Sequence, residues 1–141
     1  MTTPFLHTPS VPRRILVVED ESIIARDIQD SIGELGYDAV GHALTAEEAL
    51  AMADQVQPDL VLMDIQLQGA MDGLAVAHQL RLRFNLPVVF LTAFSADDVL
   101  ERAKLAQPYG YVLKPFTARE LKTVLAMAFS KHASDNAMHQ M

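Results

Sequence analysis

The sequence predicts an α/β fold: a doubly wound, five-stranded parallel sheet built from five consecutive βα units. Three observations carry that expectation. Short apolar, β-branched runs at 13–19, 37–43, 59–64, 87–92 and 109–114 alternate with stretches of helical period. The first, third and fourth runs are almost unbroken in apolar residues, as strands covered on both faces are. With 141 residues, half of them apolar, the chain suits one core and is too short for an eight-unit barrel.

The elements then follow in order. "MTTPFLHTPSVP" has three prolines, no basic start and no long apolar stretch, so residues 1–12 are expected to be a flexible leader and not a secretory signal. "RRILVVE" is the first strand. In 21–35, Ile24, Ile28, Ile32 and Leu35 share one stripe and Arg26, Asp27 and Asp30 lie off it, an amphipathic helix stopped by Gly36. "YDAVGHA" is the second strand, and Thr45 with Glu48 matches a capping box ahead of the second helix. Pro58 precedes the third strand, "DLVLMD", and Asp72 suits the cap of the third helix. Pro87 opens the fourth strand, "PVVFLT", with Ser95 as cap of the fourth helix. Pro108 precedes the fifth strand, "YGYVLK", and Thr117 with Glu120 repeats the capping box before the fifth helix. On that helix Val124, Leu125 and Ala128 are expected to pack on the sheet, leaving Met127 or Phe129 more exposed. The folded domain is expected over 13–130, with 131–141 a flexible tail. Five right-handed units point to the flavodoxin-like strand order 2-1-3-4-5.

In such a sheet the ligand lies beyond the carboxyl ends of the strands. The first strand ends in Glu19 and Asp20, the third in Asp64, the fourth in Thr92 and the fifth in Lys114. Each has an ordinary explanation when taken singly: a helix-start acid, a turn residue, a strand-end hydroxyl, a snorkelling lysine. Their joint arrival at one edge does not. Two carboxylates about 4 Å apart repel by about 4 kcal/mol at the dielectric of a protein surface, so the cluster calls for positive charge. Lys114 supplies one, and hard oxygen donors suit Mg²⁺.

Other chemistries are excluded or disfavoured. A net charge of −7 offers no basic patch for a nucleic-acid backbone. There is no cysteine, hence no thiolate metal site or disulfide, and a cytoplasmic location is the default. No apolar run reaches membrane-spanning length. Neither G-x-x-x-x-G-K nor G-x-G-x-x-G occurs, against nucleotide binding. His7, His42, His78, His132 and His139 lack metal-ligand spacing.

In order and spacing, "ILVVEDE", "DLVLMDIQL", "MDG", "VVFLTA" and "YGYVLKPF" resemble the receiver domain of two-component response regulators, over about residues 13–130. The resemblance implies a single-domain phosphoacceptor and not an enzyme in the usual sense, although with its own autophosphorylation and dephosphorylation chemistry. Asp64 would take a phosphoryl group from a sensor histidine kinase or histidine phosphotransfer protein. Mg²⁺, or Mn²⁺ in its place, would be held by Asp20, Asp64 and the Gln66 backbone carbonyl, with Glu19 acting through water. Lys114 and Thr92 would stabilise the phosphoryl oxygens. Thr92 and Tyr111 would form the switch, and Pro115 would follow a cis peptide bond. Gln66 and Phe94 would flank the path of hydrolytic water, a bulky Phe94 slowing it.

The face formed by the fourth helix, fifth strand and fifth helix would then bind an unknown downstream protein or a second copy, with neither nucleic acid nor membrane as direct partner. "DIQLQGAMDG" departs from the commoner loop after the phosphoacceptor by Gln68-Gly69 and about one extra residue. Two other readings remain open at this stage. One is a receiver excised from a larger regulator or hybrid histidine kinase. The other is an aspartate-based phosphohydrolase, against which stands Gln66 where that class places a second acid.

Overall fold

A computed structural model of the chain describes residues 11–65, 73–93 and 108–139. In chain order these hold β1 (Arg14–Val18), α1 (Ser22–Glu34), β2 (Asp38–Ala43), α2 (Ala46–Val56), β3 (Leu60–Asp64), α3 (Gly73–Phe84), β4 (Val88–Ala93), β5 (Gly110–Lys114) and α4 (Ala118–His139). The strands pair in parallel in the order β2-β1-β3-β4-β5. The expected caps Asp72 and Ser95, and the helix expected after β4, lie outside the described residues. Helix α4 is thus the fifth helix of the sequence reading.

Strand periodicity sorts the core into two layers. Leu16, Val18, Val61, Met63, Val88 and Phe90 face α2 and α3. Their neighbours Ile15, Val17, Leu60, Leu62, Val89, Leu91 and Val112 face α1 and α4. Successive strand side chains point to opposite faces, so a strand apolar at every position can serve two helical layers at once. Every residue of β3 is buried, as befits the central strand.

Helix boundaries follow local chemistry. Ala25, Ile28 and Ile32 are buried on α1, and Ile24 and Leu35 pack at the margin of that stripe. Gly36, at φ +96°, ends it: its N–H donates to Gly33 O, and Tyr37 N–H donates to Ile32 O. Thr45 Oγ1 accepts from Glu48 N–H at 3.1 Å, and the Glu48 carboxylate returns to Leu44 N–H, one residue before the cap. At α4, Thr117 Oγ1 accepts from Glu120 N–H and donates its own proton to the Glu120 carboxylate.

The last helix settles one expectation and corrects another. Phe129 is buried, stacked on Tyr37 at 5.6 Å with the Arg13 guanidinium over its ring, whereas Met127 is the exposed one. The helix also does not stop near 130 but continues to His139. Its buried stripe of Leu121, Leu125, Ala128 and Phe129 runs on into polar residues held by hydrogen bonds. His132 Nε2 contacts Asn85 O at 2.8 Å, Asp135 accepts from Tyr109 Oη at 2.7 Å, and Asn136 accepts from Asn85 Nδ2 at 3.0 Å. Among the described residues no helix is long and apolar enough to cross a membrane.

Candidate functional site

Parallel pairing brings the strand ends to one rim. Val18 lies opposite Met63, Asp64 opposite Leu91, Thr92 opposite Leu113 and Ala93 opposite Lys114. Glu19 therefore leaves β1 beside Asp64, the last residue of β3, and Lys114 closes β5 two strands away. The lysine spans that gap. Its Nζ donates to Asp64 Oδ2 at 3.0 Å and to Glu19 Oε1 at 2.9 Å. The backbone enters this arrangement through a cis Lys114–Pro115 peptide bond.

Glu19, Asp20 and Asp64 place one carboxylate oxygen each within 4.8 Å of one another. Glu19 is almost fully buried, Asp64 is buried, and Asp20 is half-buried. Burial pushes the Glu19 carboxyl up to about 7; its hydrogen bond to Lys114 opposes this, and Asp20 and Asp64 add to it. Burial pulls the Lys114 ammonium down, but its bonds to Glu19 and Asp64 outweigh that and leave it raised. Lys114 thus stays charged, and the cluster has three acids against one cation. A compact set of hard oxygen donors with excess negative charge fits a divalent ion such as Mg²⁺.

Thr92 is buried at the end of β4. Tyr111 is half-buried on β5, opposite Phe90, with ring centroids 6.3 Å apart. Beside Tyr111 a groove of about 410 Å³ runs between β5 and α4, lined by Leu113, Arg119, Thr123 and Val124 among others. Gln66 and Phe94 lie outside the described residues, as do Gln68 and Gly69. Sequence reasoning passed over His42, dismissed for lack of metal-ligand spacing; it contacts the cluster's backbone instead, donating from Nε2 toward Glu19 O at 2.8 Å.

Residues 15–126 match the family described as response regulator receiver domain. The chain belongs to that family. Among curated proteins this receiver domain is 37% identical over 129 residues to the transcriptional regulatory protein PdtaR of Mycobacterium tuberculosis, covering 92% of this chain and 62% of that protein. It is 33% identical over 115 residues to the phyllosphere-induced regulator PhyR of Methylorubrum extorquens, covering 81% of this chain and 42% of PhyR. The receiver thus spans less than two thirds of either relative. Among solved structures it superposes on the signal receiver domain of a modulated diguanylate cyclase from Desulfovibrio desulfuricans G20. That match has a TM-score of 0.83 at 35% identity, over 89% of this chain and 99% of that one. Phosphoryl-transfer chemistry is general to receivers.

Proposed function

We propose that this receiver accepts a phosphoryl group on Asp64 and signals through the face that carries Tyr111. The observation that carries the proposal is Lys114 Nζ held between Glu19 and Asp64, with Asp20 beside them. An isolated surface lysine would not be drawn inward to two buried acids. A site built to receive a dianionic group needs that fixed positive charge.

The donor is a phosphohistidine on a sensor kinase or phosphotransfer protein. An Asp64 carboxylate oxygen attacks phosphorus, the N–P bond of the donor breaks, an O–P bond forms, and the leaving imidazole takes up a proton. Lys114 moves its ammonium from the Asp64 oxygen to a phosphoryl oxygen, and Thr92 donates its hydroxyl to another. Asp20 and Asp64, with the Gln66 carbonyl, would hold Mg²⁺ or Mn²⁺, and Glu19 would act through a metal-bound water. The ion supplies charge neutralisation of the equatorial phosphoryl oxygens.

Thr92 and Tyr111 sit on neighbouring strands, so drawing Thr92 toward the phosphoryl group biases the Tyr111 ring inward against Phe90. The neighbouring groove is then the surface for a downstream protein, or for a second receiver. Mass spectrometry after incubation with acetyl phosphate and Mg²⁺ tests the chemistry. A phosphate-sized mass gain, abolished by chelator and by Asp64→Asn, is expected. A gain that persists in Asp64→Asn would overturn the assignment.

A further inference from the structure

We infer that His42 is a positioning residue for the carboxylate cluster: from β2 it fixes the peptide joining Glu19 to Asp20, and so sets how the acids face a divalent cation. The inference rests on reading that cluster as a cation site. Glu19 stands one residue beyond β1, past the last register pair, Val18 with Ala43. Both of its backbone polar groups are nevertheless tied to β2. Its N–H donates to Ala43 O at 3.0 Å, and its carbonyl accepts from His42 Nε2 at 2.8 Å. A carbonyl oxygen can only accept, so Nε2 carries a ring proton.

The two bonds differ in kind. The first prolongs the sheet ladder by one rung. The second is made by a side chain, and it holds the carbonyl of the peptide that leads directly into Asp20. Rotation of that peptide plane would swing Asp20 relative to Glu19 and Asp64, whose oxygens must stay within 4.8 Å to share one ion. Lys114 braces the Glu19 side chain and Asp64 from the β5 side. His42 braces the Glu19–Asp20 backbone from the β2 side, at the opposite end of the sheet order. Partners that orient ligands in this way are worth about 10- to 100-fold in metal affinity.

The test is calorimetric titration of the full chain with Mn²⁺, well below its melting transition, for wild type, His42→Ala, His42→Asn and His42→Gln. Gln places its side-chain nitrogen as many bonds from Cβ as His places Nε2; Asn falls short. The expected result is about tenfold weaker binding for Ala and Asn, and recovery to within about twofold for Gln. A merely structural role would lower melting temperatures without this pattern in affinity. Wild-type affinity in His42→Ala, or a Gln variant no tighter than the Asn variant, would overturn the inference while leaving the cation site standing. Wild type that binds no Mn²⁺ would overturn the cation-site reading and this inference with it.

Discussion

Replacing Lys114 with Met removes the ammonium and keeps the length of the apolar stem. Its contacts lie at 2.9 Å from Glu19 and 3.0 Å from Asp64. At an effective dielectric of 20, each is worth about 6 kcal/mol before desolvation is charged against it. Removing one partner from a fully buried ion pair costs about 3–5 kcal/mol, because a charge is left uncompensated. Two features lower that figure here. The Lys114 side chain is 26% exposed, and Glu19, already raised to about 7, can take up a proton to relieve the repulsion. The expected loss is about 2–3 kcal/mol, or about 5–10 °C in melting temperature for a domain of this size. Urea denaturation at low salt, with and without Mg²⁺, measures it. With Mg²⁺ present the deficit should shrink, since the ion restores the missing positive charge. Unchanged stability without divalent cation would refute the electrostatic argument, as would a deficit that Mg²⁺ leaves untouched.

Two further outcomes follow from the same geometry. A Cβ at Gly73 would meet the backbone oxygens of Asp64 and Ile65 at 2.9 Å, whereas one at Gly41 would meet only the flexible tip of Met52 and Leu16. Gly73→Ala should therefore cost about 2 kcal/mol by urea denaturation and slow phosphorylation from acetyl phosphate, while Gly41→Ala stays within about 1 kcal/mol of wild type. Burial, together with the bond to Asp135, pushes the Tyr109 phenol up to about 12 from its ordinary 10.0. The unfolded chain loses that proton first, so the contribution is complete below pH 10 and is lost as pH rises from 10 to 12. Urea midpoints across that window should fall more steeply for wild type than for Tyr109→Phe.

Much of this was legible because three of the strands are almost unbroken in apolar residues and four of the five lead into a polar or charged side chain. "DLVLMD" announces both a doubly covered strand and a carboxylate at its tip, and the parallel order then forces Glu19, Asp64 and Lys114 to one rim. Gly36 and Thr45 were readable for the same reason: a positive φ and a hydroxyl cap are local properties of single residues. What escaped were contacts between distant segments. Phe129 is buried because Tyr37 and Arg13, far away in sequence, complete its pocket. Residues 131–139 read as a polar tail, yet His132, Asp135 and Asn136 continue the packed stripe and exchange apolar burial for hydrogen bonds to Asn85 and Tyr109. His42 was invisible as well, since its partner is a backbone carbonyl that no spacing rule can mark.

Whether Glu19 and Asp20, just past β1, and Asp64, at the end of β3, share one ion is tested most directly by paramagnetic broadening with Mn²⁺. In ¹⁵N-labelled protein at substoichiometric Mn²⁺, amide signals of residues 18–21 and 63–65 should vanish first and return in Asp20→Asn. Broadening centred on another acidic stretch, such as Glu47 and Glu48 on α2, would contradict the account.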